Sequence, residues 1–374
     1  MKRISELAQQ IGDTQEPLRI EGSGTWLEGG GPWAPAQPLP TRHLRGVVEY
    51  EPGDLVITVG AGTTLEELSA ITGEHAQMLA LAPYGDTTAT VGAAVATASY
   101  GPLTYGDYTM RDLVLGLQVI TGAGDITRVG GRVVKNVAGF DLVRLHTGAY
   151  GTLGVITEVS LRLHASPALD DIYMGTVPNA AVGGVDDLIP RIVAQRAPLP
   201  MLLRFAPDTA PQLWARVSGN AARAAALLQL VRSFGVEPPS VMAPSSVHES
   251  LRHTPANTVV LRARTHRSDA VPFVRAALDA FPLATLLYDP AHGSLRVIVP
   301  AHAAGAVERD IATWYRLAAA GGAMHTMSVV MDQGRHTTTP RIPLDDGVKR
   351  ALDPRDLLNR LAPVQATSLA HPDV

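Results

Sequence analysis

The stretch Gly148-Ala-Tyr-Gly-Thr-Leu-Gly-Val-Ile-Thr-Glu158 places a glycine-rich turn directly before a strand. From Val155 to Leu163, apolar residues and a threonine alternate with residues of mixed polarity. A period of two is typical of a strand with one apolar face. The small residues of the turn let another group approach the main chain closely. The stretch therefore predicts a sheet strand that begins at a turn suited to binding a ligand through its backbone.

Other glycine-rich segments precede this turn. Glu21-Gly-Ser-Gly-Thr-Trp26 follows a predicted strand, Pro83–Ala98 is rich in small residues, and Lys135–Asp141 leads towards the turn. Each segment taken alone is consistent with an ordinary turn. The P-loop pattern is absent, and the first segment lacks the third glycine and the following helix of a dinucleotide fingerprint. A phosphate site nevertheless needs only converging backbone N–H groups. We expect a helix starting near Val91 to direct free N–H groups at a diphosphate, without help from lysine or arginine.

Composition limits the classes of protein. The 374 residues carry 31 basic and 35 acidic side chains, so the net charge of −4 does not favour a nucleic-acid partner. The chain has no cysteine, which excludes disulfides, thiolate nucleophiles and a self-contained iron–sulfur cluster. No apolar run reaches the ~18 residues of a membrane span, and the polar start MKRISELAQQIGD lacks a signal sequence. We expect a cytoplasmic protein of about two domains.

The apolar patterns predict an α+β protein. In the first part they predict a helix over Ser5–Ile11, an exposed connection over 29–40, and a helix beginning near Ala61 with a Thr63–Glu66 capping box. The strands expected there are Leu18–Ile20, Leu55–Val59, Val114–Ile120 and Ile126–Val129. In the second part the expected strands are Ile172–Val177, 201–206, 213–218, Thr258–Arg264, 284–288, 294–299 and Thr326–Met331, with helices over 184–196, 221–234, 270–281 and 303–320. This β-α-β-β-α-β order, partly repeated, suggests ferredoxin-like antiparallel sheets with helices on one face. A helical tail over Lys349–Leu361 is expected to return to the first domain.

The glycine-rich segments, in this order and spacing, resemble the FAD-binding domains of the vanillyl-alcohol oxidase and p-cresol methylhydroxylase family. The similarity is greatest to the FAD-binding subunits of glycolate oxidases. It is carried by the following stretches: Glu49–Leu55, Ala61–Leu65, Arg111–Leu117, Ile120–Gly124, Gly130-Gly, Val134–Leu145 and Gly148–Glu158. The resemblance implies a p-cresol methylhydroxylase-type FAD-binding domain over 1–168, a ferredoxin-like antiparallel cap domain over 169–340, and a tail over 341–374 that returns to the FAD domain. In the tail, Asn359 is followed by Arg360-Leu361, so the end of the family's Leu-Asn-Pro-Gly motif is missing.

The resemblance also implies a set of cofactor-binding residues. Those expected around FAD are Gly22, Ser23, Gly24, Thr25, Pro83, Thr90, Val91, Gly92, Ala93, Thr97, Ala98, Gly151, Leu153, Gly154, Val155 and Ile156. Arg111-Asp112 and Lys135-Asn136 are the polar pairs expected to face the flavin, or else to form an ion pair and a stabilised turn. Relatives that attach FAD covalently do so through a His or Cys in these loops. Neither loop of this chain contains such a residue, so FAD is expected to be bound non-covalently.

Catalytic residues are harder to assign. Catalytic relatives carry a His-x-Gly-Asp-Gly-Asn-x-His segment that supplies a metal site and a base, and this sequence lacks it, so no metal is expected. The remaining candidates are Tyr105, Arg111 and His325.

Several functions stay open from sequence. The leading hypothesis is an FAD-dependent oxidoreductase acting on CH–OH groups, as the FAD-binding subunit of a glycolate (2-hydroxy acid) oxidase or dehydrogenase complex. Its partners would be a catalytic flavoprotein subunit and an iron–sulfur subunit, without a direct membrane span, and the complex is compatible with a peripheral membrane location. The alternatives are a self-sufficient FAD oxidoreductase for another alcohol or hydroxy acid, and a non-catalytic assembly subunit with a vestigial flavin site.

Overall fold

The chain divides into two compact units. The computed structural model describes residues 2–25, 34–106, 108–131, 141–177, 184–195, 200–207, 209–234, 240–252, 258–300, 307–320, 329–331 and 343–360. Unit 1 comprises Met1–Thr104, Tyr108–Ser166 and Pro340–Ala362, and unit 2 comprises Tyr105–Asp107, Pro167–Thr339 and Pro363–Val374. No helix in the described ranges is both long and apolar enough to cross a membrane.

Unit 1 contains short helices and three groups of strands. Its strands are β1 (Leu18–Glu21), β2 (Gln37–Pro40), β3 (Val47–Glu51), β4 (Val56–Gly60), β5 (Gln77–Met78), β6 (Val114–Ile120), β7 (Ile126–Gly130), β8 (Val155–Arg162) and β9 (His164–Ala165). Its helices are α1 (Lys2–Asp13), α2 (Leu65–Gly73), α3 (Val91–Ala96), α4 (Met110–Leu113), α5 (Leu142–His146) and, near the C-terminus, α11 (Pro343–Leu352). The strand pairs β1–β2 and β5–β9 are separate from the main sheet. The predicted connection over 29–40 is wrong at its end, because Gln37–Pro40 pairs with β1 as a parallel strand.

The main sheet of unit 1 has five antiparallel strands in the order β3-β4-β8-β6-β7. The expected strands Val114–Ile120 and Ile126–Val129 form the hairpin β6–β7, in which Ile120 pairs with Ile126. The alternation over 155–163 predicted a strand with one apolar face. In the structure, β8 is buried on both of its faces, with only Glu158 and Arg162 partly exposed. The polar Ser160 and Thr157 are tolerated inside because their hydroxyls are hydrogen-bonded, to Thr58 and Gln118 respectively.

Helix α2 begins one capping position later than the sequence predicted. Thr64 accepts from the Glu67 amide at 3.0 Å, and the Glu67 carboxylate accepts from the Thr64 amide at 3.0 Å. The predicted Thr63–Glu66 box is therefore wrong. The hydroxyl of Thr63 instead accepts from the Gly46 amide, so it serves a neighbouring loop. Two adjacent threonines, followed by two adjacent glutamates, allow either register from sequence alone.

Unit 2 consists of one large sheet of eight strands and five α-helices among the described residues. Its strands are β10 (Leu169–Thr176), β11 (Met201–Phe205), β12 (Gln212–Gly219), β13 (Ser240–Met242), β14 (Thr258–Arg264), β15 (Thr285–Asp289), β16 (Ser294–Pro300) and β17 (Val329–Met331). Its helices are α6 (Gly184–Val193), α7 (Ala221–Ser233), α8 (Pro244–Arg252), α9 (Ala270–Ala280) and α10 (Val307–Ala320). Strand β13 and helix α8 were not predicted.

The strand order of unit 2 shows two β-α-β-β-α-β repeats. The order is β13-β10-β12-β11 in the first repeat and β15-β16-β14-β17 in the second, which is the first order reversed. The repeats join edge to edge through β11 and β15, where Leu203 pairs with Tyr288. The expected ferredoxin-like, antiparallel architecture is confirmed. The sequence did not predict how the two repeats are joined, and this pairing makes one sheet of eight strands.

The C-terminal segment of unit 1 is anchored by an arginine. After α11, Arg355 donates to four main-chain carbonyls: those of Ile11, Gly12 and Thr14 at the end of α1 and that of Gly122 in the β6–β7 turn, at 2.8–2.9 Å. Carbonyls at a helix C-terminus lack partners within the helix, so a cation there satisfies them. Next to it the buried Asp353 accepts from Lys349 at 2.6 Å and from the amides of Leu357 and Leu358.

We expect Arg355→Ala to lower the free energy of unfolding by about 3 kcal/mol, because charged donors to four carbonyls are removed. Urea denaturation of the full chain measures this change. Arg355→Lys is expected to recover only part of the loss, since an ammonium cannot reproduce the planar fork. Arg350→Ala, at an exposed arginine of α11, is the matched control. An Arg355→Ala chain as stable as this control would contradict the assignment.

Candidate functional site

A cleft of ≈ 810 Å³, including its open mouth, lies in unit 1 between three chain segments. The turn after β1 forms one wall, α3 forms the second, and the turn before β8 forms the third. Of the residues predicted to hold a cofactor, those lining it are Gly22, Ser23, Gly24, Thr25, Thr90, Gly92, Ala93, Thr97, Gly151, Gly154 and Ile156. Three of the glycine-rich segments singled out in the sequence thus meet at one place, whereas 135–140 lies outside the described residues.

The other predicted residues do not line the cleft. They are Pro83, Val91, Ala98, Leu153 and Val155. Val91 and Val155 point into the interior, with exposed fractions of 1% and 0%. In a strand and in a helix, neighbouring residues face different directions, so a contiguous run cannot line one cavity. The direct contacts of the lining residues with a ligand remain a prediction.

The first wall offers hydrogen-bond donors. Thr41 holds the carbonyl of Glu21 through both its amide and its hydroxyl, at 2.7 and 3.0 Å, which fixes the point where the chain leaves β1. Beyond it, the amides of residues 22–25 have no acceptor among the residues that the structure describes. The hydroxyl of Ser23 is buried and likewise lacks a partner within those residues. A Cβ at Gly22 would overlap the hydroxyl of Thr90, so only glycine allows the two walls this close.

The second wall corrects the sequence-based mechanism. Helix α3 does begin at Val91, but its first amides are already used: Val91 donates to the Thr63 carbonyl and Gly92 to the Ala61 carbonyl, both at 2.8 Å. The next amide, of Ala93, donates to the hydroxyl of Thr90 at 3.2 Å. The expectation of free N–H groups at this helix start is therefore wrong. The small residues have another role, because a Cβ at Gly92 would lie 2.8 Å from that of Ala61.

The third wall is a tight turn with two left-handed residues. Tyr150 and Gly151 have φ angles of 53° and 71°. The Tyr150 amide donates to the carbonyl of Ala96 at 2.7 Å, which ties this turn to the end of α3. A Cβ at Gly154 would lie 3.2 Å from both the carbonyl of Ile120 and the ring of His146. Close packing requires glycine at 154, and the left-handed backbone favours glycine at 151.

Sequence reasoning missed several residues of the cleft. These are Arg19, Ile20, Glu21, Thr41, Ala61, Ala96, Tyr150 and Asn359. The guanidinium of Arg19 makes no hydrogen bond or ion pair with the described residues. Arg19 is therefore a positive charge at a cleft where the sequence predicted that an anion is bound by amides without lysine or arginine. Alternation along β1 could have found Arg19, since it flanks Leu18, which is in the core.

Two of the catalytic candidates, Tyr105 and Arg111, are not among the described residues that line this cleft. Arg111 donates to the Thr147 carbonyl from Nε and Nη2, at 3.3 and 3.2 Å, and Asp112 caps α4 through Thr109. Tyr105 belongs to unit 2, where its ring centroid lies 5.8 Å from the guanidinium of Arg216. His325, Lys135 and Asn136 fall outside the described residues. Within the described ranges, no cluster of His, Asp and Glu could hold a metal ion.

Comparisons with known proteins define the class to which this cleft belongs. Residues 1–130 match the family described as an FAD binding domain, and the cofactor of this chain is FAD. The fold is that of p-cresol methylhydroxylase, whose substrate-bound structure superimposes with a TM-score of 0.70 at 13% identity, covering 96% of this chain and 86% of that one.

Two curated proteins are similar in sequence to part of this chain. Over 166 residues, the chain is 43% identical to the glycolate oxidase subunit GlcE of Escherichia coli K12, covering 44% of this chain and 47% of that protein. Over 223 residues, it is 32% identical to a D-lactate dehydrogenase of Archaeoglobus fulgidus, covering 59% and 48%. The chain thus spans about half the length of these curated relatives.

The residues of the cleft fit a dinucleotide diphosphate. The buried hydroxyl of Ser23 and the amides of residues 22–25 are donors without acceptors in the described chain. Arg19 adds a positive charge, and the glycines leave space that a Cβ would occupy. Donors that converge without partners are the arrangement that phosphate oxygens satisfy.

We expect Gly22→Ala to weaken FAD binding by about a hundredfold or more, because the new methyl group overlaps the hydroxyl of Thr90 and must push the two walls apart. Titration of the apoprotein with FAD measures the dissociation constant. Gly73→Ala is the matched control, since nothing lies within 4 Å of its Cβ position. Equal affinities for the two variants would contradict this account of the cleft.

A buried histidine gives the first unit a pH dependence. Burial lowers the pKa of His146 from 6.5 to about 4, because the charged ring is poorly solvated there. Below pH 6.5 this histidine is protonated in the unfolded chain but stays neutral in the folded chain. Its contribution to the free energy of unfolding is therefore greatest above pH 6.5 and is lost progressively as the pH falls towards 4. We expect the free energy of unfolding to fall by about 2 kcal/mol from about pH 7 to pH 5.

The change His146→Gln is expected to remove this part of the pH dependence, whereas His43→Gln, at an exposed histidine, leaves it in place. Urea denaturation at the two pH values measures both variants. An unchanged pH slope in His146→Gln would show that other groups carry the dependence.

Proposed function

We propose that this chain is the FAD-binding subunit of a 2-hydroxy-acid oxidase complex that oxidises glycolate to glyoxylate together with partner subunits. The observation that carries the proposal is the donor-rich cleft between the three glycine-rich segments. The similarity to the glycolate oxidase subunit GlcE, at 43% identity, supports this assignment. The cofactor, when bound, supplies a two-electron acceptor for oxidation of the carbon that carries the hydroxyl group.

Within this proposal, the chain's own residues hold the cofactor by its diphosphate. The amides of residues 22–25 and the hydroxyl of Ser23 donate to phosphate oxygens, and Arg19 offsets the negative charge. Gly92, Ala93 and Ala96 keep the floor of the cleft free of bulky side chains. None of the described residues lining the cleft is histidine or cysteine, which supports non-covalent binding.

The proposal also assigns the remaining chemistry to partners. The 374 residues contain no cysteine, so cysteine-ligated iron–sulfur clusters for electron transfer would come from another subunit. A base for the hydroxyl proton and a cation for the carboxylate are needed in any such oxidation. The described residues that line the cleft include no histidine to act as this base. In the proposed complex, a catalytic flavoprotein subunit supplies the base and the cation.

A self-sufficient hydroxy-acid dehydrogenase is the second candidate. The similarity to a D-lactate dehydrogenase, which extends over 59% of this chain, favours it. The two candidates differ in what the isolated chain does, because only the second reduces its own flavin with substrate.

We expect the purified full chain to bind FAD, to release it on denaturation, and to reduce dye with glycolate only when partner subunits are present. A visible absorption spectrum, flavin in the supernatant after denaturation, and dye reduction with and without co-expressed partners measure these three points. Gly73→Ala serves again as a variant expected to behave like the unchanged chain. Strong turnover by the chain alone favours the second candidate, and a colourless chain that captures partners favours an assembly subunit.

A further inference from the structure

The C-terminal segment runs alongside β1 as a third strand would. Leu18 pairs with Leu358 as a parallel bridge, the Leu18 amide donates to the Leu357 carbonyl at 2.7 Å, and the Asn359 amide donates to the Leu18 carbonyl at 2.9 Å. In a continuing parallel ladder, the next bond would run from the Ile20 amide to the main-chain carbonyl of Asn359.

That next bond is made by a side chain instead. Asn359 has a left-handed backbone with φ of 39°, and the Ile20 amide donates to its Oδ1 at 2.7 Å. The carboxamide oxygen therefore takes the place of a main-chain carbonyl at the last pairing position before the donor-rich turn. Asparagine is favoured at such a left-handed position because its short polar side chain bonds to nearby backbone.

The other end of the same carboxamide contacts the opposite side of the cleft. Its Nδ2 donates to the Tyr150 carbonyl at 2.7 Å, while the Tyr150 amide donates to the carbonyl of Ala96 at the end of α3. A Cβ at the adjacent Gly151 would lie 2.7 Å from this Nδ2, so the turn closes directly over the carboxamide. One planar group, with an acceptor and a donor, thus connects the first wall to the third.

We propose that Asn359 is a positioning residue of the FAD site, which sets the spacing of two of its walls from the C-terminal segment of the chain. The inference rests on the proposed cofactor function. Asn359 lines the cleft, and the main-chain donors assigned to the diphosphate begin two residues after Ile20. A shift of one wall displaces all the donors on it at once. FAD affinity therefore depends on the Asn359 carboxamide because this group fixes the positions of the donors.

The test compares dissociation constants of FAD for variants of the full-length apoprotein. Asn359→Gly removes the carboxamide while tolerating the left-handed backbone, and we expect FAD to bind about tenfold more weakly because two partly buried hydrogen bonds are lost. Asn359→Asp keeps the acceptor for the Ile20 amide but cannot donate to Tyr150, and a weakening of about fivefold or more is expected.

Arg355→Ala is the matched control, since it loosens the same segment through contacts with Ile11, Gly12, Thr14 and Gly122, which do not line the cleft. Below its unfolding temperature, this variant is expected to bind FAD within about twofold of the unchanged chain. Amide hydrogen exchange at Ile20 in the absence of FAD gives a second measurement, and faster exchange is expected only in Asn359→Gly.

Each outcome decides the inference. Unchanged affinity in both Asn359 variants overturns it, and so does an equal loss of affinity in Arg355→Ala, because the effect would then be a general loosening of the segment. If Asn359→Gly fails to fold, Asn359→Asp decides alone. Failure of the unchanged chain to bind FAD overturns the proposed function as well. An FAD affinity that is the same in the unchanged chain and the Asn359 variants overturns only this inference.

Discussion

The position of β1 depends on hydrogen bonds along both of its edges. β2 pairs with one edge in parallel, and the segment around Leu358 pairs with the other. A strand of four residues has little cohesion of its own, so its place is set by these neighbours. Since the donor-rich turn begins where β1 ends, the geometry of the cleft follows from pairing between parts of the chain that are more than 300 residues apart in sequence.

Sequence reasoning worked best where the deciding interaction is local. The β6–β7 hairpin follows from two apolar stretches around the glycine-containing turn Thr121–Asp125, and the start of α3 follows from a run of small, helix-forming residues. It failed where partners are distant. The first amides of α3 donate to the carbonyls of Ala61 and Thr63, which belong to the connection between β4 and α2. No local sequence pattern predicts that α3 packs against this connection. The same limitation hid Asn359, because a lone asparagine acquires meaning only when it is placed beside Ile20 and Tyr150.

Unit 2 shows the same contrast between local and distant interactions. Apolar periodicity found most of its strands and four of its helices, and the β-α-β-β-α-β order followed from them. The union of the two repeats depends on three residue pairs between β11 and β15. Edge strands carry unpaired main-chain groups, and two such edges can pair with each other whatever their side chains. Sequence patterns of each repeat therefore cannot distinguish two separate sheets from one continuous sheet.

A cofactor site made chiefly of main chain responds to change differently from one made of charged side chains. Replacing one lining side chain removes one contact, whereas moving a wall moves every amide on it. The glycines at 22, 92 and 154 leave no room for such movement, since a Cβ at any of them would contact the neighbouring wall or strand. Residues that fix the walls, including some outside the cleft, should therefore influence binding as strongly as residues that face it. Arg19, the single cation among the described residues that line the cleft, is the exception, because its contribution is electrostatic and falls with added salt.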